Sequence, residues 1–519
     1  MLSPFKNEPL TDFSDSANVA VFEAALRHVR ESLDRLQPML IGGREVLTSD
    51  VFASVNPAAP HEVVARFPQG TTQHVDQAVE AAQCAFKAWS QTPAFERAGY
   101  LLRAAALMRR ERHAFSAAMV IEAGKPWVEA DADTAEAIDF MEYYARQIAA
   151  FEDASDRLVP RAGERGQFRY IALGVGAIIS PWNFPVAIFT GMMSAAVVSG
   201  NTVVVKPSEL TPYVAWMVVD LFRRCGLPAG VINFLTGPGA VVGGRMVEHP
   251  GTRFIAFTGS RHVGADIYAK AAVVHPGQRW LKRSILEMGG KDAIIVDASA
   301  DLDEAAAGIV DSAFGFSGQK CSACSRVIAH ADIYDAVLER VVDRTRALRV
   351  GMPEAGLDVD LGPVIDTRAL NKVTSYVSIG RGESELVAGG SAVEMPDRGY
   401  FVEPTVFANA SPDARIAQEE IFGPVVAFIR AGTFDEAITY ANDTDYGLTG
   451  AVYAMDHQRL EQARREFHVG NLYLNRKCTG ALVGVHPFGG FGMSGTDSKA
   501  GGPDYLMHFM QPQTITERL

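Results

Sequence analysis

Cysteine is scarce in this chain of 519 residues. The five cysteines are odd in number and widely scattered apart from one pair, which is unlike the dense disulfide framework of a small secreted domain. The N-terminal stretch Met1–Glu8 also lacks the basic segment followed by an apolar segment that a secretory signal requires. We therefore expect a protein of the reducing cytoplasm.

Runs of like charge and low-complexity tracts are absent as well. With 48% hydrophobic and 21% charged residues, the composition is that of a globular protein, and the length suggests about three structural units. The net charge of −13 makes nucleic acid an improbable partner, because binding it depends on Lys and Arg. The same charge would repel a small carboxylate substrate, which must then be held by local donors.

One long segment without charge, Tyr170–Val205, has the hydropathy of a membrane span. It is interrupted by Pro181–Pro185, which removes two backbone donors and leaves apolar pieces shorter than the ~20 residues that a span needs. We expect a buried strand, a loop and a core helix here, and no contact with a membrane.

The spacing of apolar residues predicts helices from Val75 to about Phe151, and these should cover a sheet. The stretch Gln167–Ala172 alternates polar and apolar residues, which predicts a strand with one exposed face. Such a strand could belong to a hairpin at a subunit contact.

Short β-branched runs alternate with helical stretches from Val175 onward. They are Ala177–Ile179, Thr202–Val205, Val231–Phe234, Phe254–Phe257 and Ala293–Val296, and a second set after residue 321 includes Val425–Ile429 and Gly450–Tyr453. This rhythm predicts two α/β units, the first a doubly wound parallel sheet. Ligands of such a sheet lie at the carboxyl ends of its strands.

A cysteine beside a lysine, Cys321 after Lys320, follows two glycines and a serine. A nearby cation lowers the pKa of a thiol and favours the nucleophilic thiolate. The spacing to Cys324 leaves a redox pair or half of a zinc site as alternatives, but no second ligand pair stands at zinc spacing. We expect no bound metal.

Two further polar residues have apolar surroundings. Glu287 precedes the pair Gly289–Gly290 at the entry to an apolar strand, and it could be a base or a salt-bridged core residue. Asn183 lies in a rigid proline-flanked loop, where its amide could stabilise an oxyanion or simply satisfy its own loop backbone.

A nucleotide is indicated at two strand ends. Lys206 and Glu209 follow an apolar strand, and a Glu there favours NAD over NADP because it would repel a 2′-phosphate; two surface charges are the alternative. The turn Phe257–Gly264 follows a strand and opens a helix, as a phosphate-binding turn does, but without the G-x-G-x-x-G pattern.

These stretches, in this order, resemble the aldehyde dehydrogenase superfamily, which combines an unusual dinucleotide turn with an acid followed about thirty residues later by a cysteine. The resemblance extends over nearly the whole chain, to Glu419–Pro424 and Pro487–Gly495. It implies an α/β fold with a Rossmann-type cofactor domain, a second α/β catalytic domain and a small β flap for oligomerisation. The implied boundaries are 1–156 and 176–287 for the NAD-binding domain, 288–475 for the catalytic domain, and 157–175 and 490–519 for the hairpin and tail.

The resemblance also implies roles for individual residues. Cys321 would be the nucleophile, Glu287 the base that activates water, and Asn183 with the Cys321 backbone N–H the oxyanion donors. Residues implied to contact NAD are Ile179, Ser180, Pro181, Trp182, Lys206, Ser208, Glu209, Gly239, Gly259, Ser260, Met288, Gly289, Glu420 and Phe422.

Within the superfamily, the stretches Gly318–Arg326 and Asn475–Gly484 are most similar to the 1-pyrroline-5-carboxylate dehydrogenases, which oxidise glutamate semialdehyde to glutamate in proline breakdown. That similarity implies that Ser322, Gly480 and Ala481 hold the substrate carboxylate. It also implies that Phe184 and Phe488 pack on its methylene chain, and that the protein is a homo-oligomer built from dimers. A catalytically idle relative, or a dehydrogenase for another carboxylated or simple aldehyde, are the alternatives.

Overall fold

The structure is a computed structural model that describes residues 3–519; Met1 and Leu2, the start of the N-terminal stretch considered above, lie outside the described residues. The α-helices are α1 (Ser16–Arg30), α2 (Thr72–Trp89), α3 (Ala94–Arg110), α4 (Arg112–Glu122), α5 (Trp127–Gln147), α6 (Ala187–Val198), α7 (Pro212–Arg224), α8 (Gly244–Glu248), α9 (Arg261–Ala271), α10 (Leu302–Phe314), α11 (Tyr334–Ala347), α12 (Thr367–Glu383), α13 (Arg415–Gln418), α14 (Phe434–Asn442) and α15 (His457–Glu466). The strands are β1 (Arg35–Leu36), β2 (Met39–Ile41), β3 (Arg44–Val46), β4 (Val51–Asn56), β5 (Ala59–Pro68), β6 (Glu164–Ala172), β7 (Val175–Ile179), β8 (Thr202–Lys206), β9 (Ile232–Phe234), β10 (Thr252–Thr258), β11 (Arg283–Glu287), β12 (Asp292–Val296), β13 (Cys324–His330), β14 (Glu385–Ala388), β15 (Ala392–Val393), β16 (Phe401–Val402), β17 (Thr405–Ala408), β18 (Val425–Ala431), β19 (Tyr446–Gly447), β20 (Thr449–Tyr453), β21 (Asn471–Leu474), β22 (Phe491–Gly492) and β23 (Met510–Arg518).

The first large sheet has the strand order β11-β10-β7-β8-β9-β2-β3. Its strands from β11 to β9 are parallel, as the β-branched runs predict, whereas β2 and β3 add an antiparallel edge. In this register Ile179 pairs with Lys206 and Thr258 pairs with Glu287. The carboxyl ends of four strands therefore meet at one edge, where a ligand of a parallel sheet binds.

The second large sheet has the order β14-β17-β18-β13-β12-β20-β21 and is parallel except for the β14–β17 pair. The central strand β12 is buried along its whole length, with one hydrophobic cluster on each face of the sheet. The chain therefore forms two α/β units, as predicted. Glu287 and Cys321 lie between them in sequence, because Glu287 is the last residue of β11 in the first sheet and Cys321 precedes β13 in the second.

The predicted helical region is helical: α2 to α5 occupy residues 72–147. The helices α3, α4 and α5 pack with α6 in the largest hydrophobic cluster, whereas most of the buried face of α2 packs in a separate cluster against strands of the first sheet. The uncharged stretch from Tyr170 forms the end of β6, then β7, a loop, the 12-residue α6 and β8. Within residues 3–519, no helix combines the length and the apolar character required to cross a bilayer.

The strand predicted at Gln167–Ala172 forms as part of β6. Its partner is β23 at the other end of the chain, in an antiparallel pair that runs from Ala172 opposite Met510 to Glu164 opposite Arg518. Most residues of β23 are exposed. Pairing between the two segments satisfies their backbone groups without a tight turn, which is why local turn signals could not reveal it.

Candidate active site

The loop that carries Cys321 has an unusual backbone. Phe316, Ser317 and Gly318, in a 3₁₀ turn after α10, have φ angles of 50°, 55° and 67°. A Cβ on Gly318 would lie 2.2 Å from the carbonyl oxygen of Gly423, so this position requires glycine. Consecutive left-handed residues cost energy and persist only where their surroundings fix them, which is common at active sites.

Gln319 supplies that support. Its side chain donates to the Pro363 carbonyl at 3.2 Å and accepts from the Ile365 N–H at 2.9 Å. The Gln319 carbonyl in turn accepts a 3.0 Å hydrogen bond from the side-chain amide of Asn183. Asn183 therefore lies beside the loop of Cys321, and the alternative that it satisfies only its own loop is not supported.

The Cys321 thiol is half-buried and its pKa is raised. Loss of solvation is the largest cause, followed by the negative charges of Asp292, Glu287 and Glu420. The expectation that Lys320 lowers this pKa is wrong, because its ammonium pairs with the Glu129 carboxylate at 2.6 Å. The same result shows that Glu287 and Glu420 are near enough to Cys321 for their charges to act on it.

Glu287 is buried at the carboxyl end of β11. Its Oε1 accepts a hydrogen bond from the Ser498 hydroxyl at 2.5 Å, while Oε2 has no partner within residues 3–519. Burial raises its pKa to about 8, and the Ser498 bond and the charge of Lys499 act in the opposite direction. No ion pair within 4.0 Å joins it to a cation in that range, so the salt-bridged alternative is not supported.

The segment around Ser498 approaches Glu287 closely. Met288 N–H donates to the Ser494 carbonyl at 2.8 Å, and Leu286 and Thr496 exchange two further hydrogen bonds. A Cβ on Gly489 would lie 1.8 Å from the Ser498 carbonyl and 2.9 Å from Glu287 Oε1. The glycines of the Pro487–Gly495 motif therefore make room for the carboxyl group of Glu287.

Glu420 lies against the turn that follows Glu287. Its Oε1 accepts from the Gly290 N–H at 3.2 Å, and a Cβ on Gly289 would come within 2.3 Å of the same oxygen. Burial raises the pKa of Glu420, and the charge of Lys372 opposes that shift. Met288 is buried and packs against Gly264 of α9.

The predicted nucleotide residues lie along the carboxyl edge of the first sheet. Lys206 is buried, so it is not a surface charge; its ammonium donates to the Pro207 carbonyl at 3.0 Å, and burial lowers its pKa to about 8. Glu209 is exposed and accepts from the Gly239 N–H at 3.3 Å. The Ser208 hydroxyl accepts from the Leu210 N–H.

Ile179 ends β7 at the same edge, and the Ser180 N–H donates to the Lys206 carbonyl at 3.2 Å. After Pro181, the indole of Trp182 packs edge-on against Phe422 with ring centres 5.5 Å apart. This contact brings the loop of Asn183 together with the segment of Glu420.

The turn after β10 has the form predicted for it. Gly259 N–H donates to the Glu287 carbonyl at 3.1 Å, and Ser260 caps α9 by accepting from Val263 N–H. The first N–H groups of α9 therefore face the edge of the first sheet at which the parallel strands end, as in a phosphate-binding turn.

The predicted substrate residues have contacts of their own. Phe184 lies under the Lys125 ammonium, 4.1 Å from its ring centre, and Phe488 exchanges backbone hydrogen bonds with Ala500. Ser322 is buried, and its carbonyl accepts from the Cys478 thiol at 3.4 Å. This contact places the loop of Gly480 and Ala481 next to Ser322, the residue after Cys321.

Cys324 and Cys478 are both buried near this loop, and every cysteine is a free thiol. Residues 3–519 contain no group of three or more His, Cys, Asp or Glu side chains arranged to hold a metal ion. The zinc alternative for the Cys321 and Cys324 pair therefore has no structural support.

Several residues near the site were not assigned a role from sequence. Ser498 and Lys499 lie behind Glu287, and Asp292, next to Cys321, accepts from Thr449 N–H at 2.7 Å. Lys125 and Asp133 form a fully buried ion pair behind Phe184. Asp292 follows the Glu287 motif directly, and Ser498 and Lys499 lie shortly after the Pro487–Gly495 motif, whereas no sequence motif predicts a role for Lys125.

Comparison with known proteins agrees with this geometry. The model of the aldehyde dehydrogenase family matches residues 46–515. The chain belongs to the aldehyde dehydrogenase family. A 1-pyrroline-5-carboxylate dehydrogenase of Anoxybacillus flavithermus is 57% identical over the full length of both chains. A crystal structure of a 1-pyrroline-5-carboxylate dehydrogenase from Thermus with bound NAD is 51% identical, with a TM-score of 0.98 and complete coverage of both chains.

A longer family member is similar too. The proline utilization A protein of Bdellovibrio bacteriovorus is 44% identical over 99% of this chain but only 53% of its own, with a TM-score of 0.96. The family and the α/β fold predicted from the sequence are thus confirmed. The domain boundaries and the roles of individual residues stay predictions.

Proposed function

We propose that this enzyme oxidises L-glutamate γ-semialdehyde, the open form of 1-pyrroline-5-carboxylate, to L-glutamate with NAD. The observation that carries the proposal is the grouping of Cys321, Asn183 and Glu287 beside a loop with free backbone donors. The likeness to 1-pyrroline-5-carboxylate dehydrogenases over the full chain supports the choice of substrate.

The edge of the first sheet at which the carboxyl ends of its parallel strands meet fits a dinucleotide. Gly239 and Gly259 present backbone without side chains, and the N-terminus of α9 suits a pyrophosphate. The exposed Glu209 suits the ribose hydroxyls of NAD, and Glu420, fixed on Gly290, suits the second ribose. NAD bound here would supply the hydride acceptor, and its positively charged nicotinamide ring would favour the Cys321 thiolate.

In the first step, the Cys321 sulfur forms a bond to the aldehyde carbon and the carbonyl oxygen becomes an oxyanion. The Asn183 amide and the Cys321 backbone N–H donate to that oxygen. Loss of hydride from the same carbon leaves a thioester on Cys321.

Glu287 serves the second step. Its ionised carboxylate removes a proton from water, the resulting hydroxide adds to the thioester carbon, and the bond to sulfur breaks to give the carboxylic acid product. The unpartnered Oε2 is the oxygen available for this proton. A pKa of about 8 suits a group that accepts a proton near neutral pH and releases it again.

The substrate carboxylate requires donors in a chain with a net charge of −13. The backbone N–H groups of Gly480 and Ala481 find no acceptor within residues 3–519, and Ser322 adds a hydroxyl. Phe184 and Phe488 provide apolar walls for the methylene groups between carboxylate and aldehyde.

The deciding experiment compares kcat/KM for glutamate semialdehyde, succinic semialdehyde and pentanal by NADH absorbance. The proposal requires glutamate semialdehyde to be the preferred substrate. A preference for pentanal would indicate a dehydrogenase for simple aldehydes, and no NADH with any of the three would indicate a catalytically idle relative.

A further inference from the structure

Arg476 lies at the base of the loop that contains Gly480 and Ala481. Its guanidinium donates to the Gly480 carbonyl at 2.6 Å and to the Lys477 carbonyl at 3.1 Å. The same group lies over the ring of Tyr473, 4.4 Å from the ring centre. Two hydrogen bonds and a stacking contact therefore fix the position of this charge.

The Gly480 carbonyl and the Ala481 N–H belong to one peptide group. A hydrogen bond from a cation to the oxygen of a peptide group polarises it and makes its N–H a stronger donor. Gly480 has a φ of 73°, a conformation that turns the backbone and that glycine adopts readily. Arg476 thus acts on the peptide whose N–H is free.

The other side of the loop is also fixed. Cys478 N–H donates to the Ser312 hydroxyl at 3.2 Å, and its thiol donates to the Ser322 carbonyl at 3.4 Å. The loop is therefore attached to α10 and to the residue after Cys321, so a change at Arg476 alters the peptide groups of the Lys477 and Gly480 carbonyls without detaching the loop.

We propose that Arg476 is a positioning residue that sets the affinity for the substrate α-carboxylate, by orienting and polarising the Gly480–Ala481 peptide. This inference rests on the proposed function of that loop. It explains how a chain of net charge −13 holds an anion without direct contact to a cation: the positive charge acts through the peptide group. Lys477 lies close to Gly480 as well but is partly offset by Asp311 at 3.6 Å.

The test compares Arg476→Met, which keeps the length of the side chain but removes charge and donors, with Arg476→Lys, which keeps the charge. We expect Arg476→Met to raise KM for glutamate semialdehyde about tenfold, the ratio that corresponds to one charge-assisted hydrogen bond, with little change in kcat. Arg476→Lys should recover part of that loss. Neither variant should change kcat/KM for pentanal, which has no carboxylate.

Arg430→Met is the matched control. Arg430 lies over the Tyr334 ring at 3.9 Å and donates to the Ala331 carbonyl at 3.1 Å, so it shares the ring contact and the carbonyl hydrogen bond of Arg476, although it also pairs with Asp335 at 2.7 Å. Its loss should leave KM for both aldehydes unchanged. Thermal unfolding of each variant shows whether the fold is retained.

Glutamate affinity, measured by calorimetry on the NADH-bound protein, gives a second reading that does not depend on turnover. The inference is overturned if Arg476→Met binds glutamate as well as the unaltered protein does, or if it loses activity on both aldehydes in equal proportion. A different result would contradict the proposed function, because the unaltered protein would then not prefer glutamate semialdehyde.

Discussion

The Ser498 hydroxyl donates a 2.5 Å hydrogen bond to Oε1 of Glu287, across 211 positions of sequence. It is the contact that orients the carboxyl group of Glu287 and leaves Oε2 unpartnered. Because both residues are buried, the orientation of this carboxyl is set by the C-terminal segment that crosses over β11. The proposed activation of water by Glu287 therefore depends on a residue distant from both Cys321 and Glu287 in sequence.

Removing that hydroxyl in Ser498→Ala should slow thioester hydrolysis about tenfold, because the carboxyl group loses its fixed orientation. The hydroxyl also lowers the pKa of Glu287, so its removal should move the pH midpoint of hydrolysis upward. Stopped-flow measurement of NADH should show an intact burst followed by a slower steady rate. Ser498→Thr keeps the hydroxyl and should retain most of the rate; if both variants behave alike, the hydrogen bond has no such role.

Glu287 should impose a pH dependence on the hydrolysis step. Burial raises its pKa to about 8, and only the ionised form accepts a proton from water, so the rate constant should rise with pH and level off above about pH 9. Single-turnover decay of the acyl enzyme at several pH values measures this. Glu287→Gln should keep the NADH burst but slow hydrolysis by about 10²–10⁴-fold and remove the pH dependence. A pH dependence that survives in this variant would assign it to another group.

The sequence was sufficient to predict most of the two sheets and to single out candidate site residues. Buried runs such as Val203–Val205 are recognisable because parallel strands are apolar on both faces. Cys321, Glu287 and Asn183 were found because each stands in a short motif. The structure brings these motifs together around one loop.

Sequence analysis failed where the interaction partner of a residue or strand is distant in sequence or has no local motif. Lys320 stands beside Cys321 in sequence, yet its charge is taken by Glu129, 191 positions earlier. Likewise β6 pairs with β23 rather than with a neighbouring strand, and Ser498 contacts Glu287 without any local pattern. Ion pairs, strand partners and orienting hydrogen bonds between remote segments depend on the completed fold, which local periodicity does not encode.

The two cysteines near the site should differ sharply on substitution. Cys321→Ala should abolish NADH formation, because the proposed reaction forms its covalent bond on the sulfur beside Asn183 and Glu287. Cys324→Ala should retain most activity, because that thiol is buried and its loss costs about 1 kcal/mol of stability. NADH assays with thiol titration of each variant measure both effects. The reverse pattern would identify Cys324 as the nucleophile.

The cofactor preference should depend on Glu209. Its exposed carboxylate at the end of β8 disfavours a 2′-phosphate by charge, so Glu209→Gln should relax the preference for NAD over NADP about tenfold. The ratio of kcat/KM for the two cofactors measures it. Glu339→Gln, another exposed acid on α11, is the control and should leave the ratio unchanged. An unchanged ratio in Glu209→Gln would remove this residue from the cofactor site.

The ion pair behind Phe184 should matter for both stability and substrate affinity. Lys125 and Asp133 are fully buried, 2.6 Å apart, and Asp133 also accepts from Ala187 N–H at 2.6 Å. Lys125→Met would leave the Asp133 carboxylate buried without its partner, which costs about 3–5 kcal/mol. Denaturant unfolding should show this loss, and KM for glutamate semialdehyde should rise because Phe184 loses the ammonium at its face.

The double variant Lys125→Met with Asp133→Asn separates the two effects. It removes the unpaired charge, so the double variant should lose less free energy of unfolding than the sum of the losses in the two single variants. KM should stay elevated, because the contact between Lys125 and the Phe184 ring is still absent. If KM recovers together with stability, the lysine supports the site only through the fold and not through the position of Phe184.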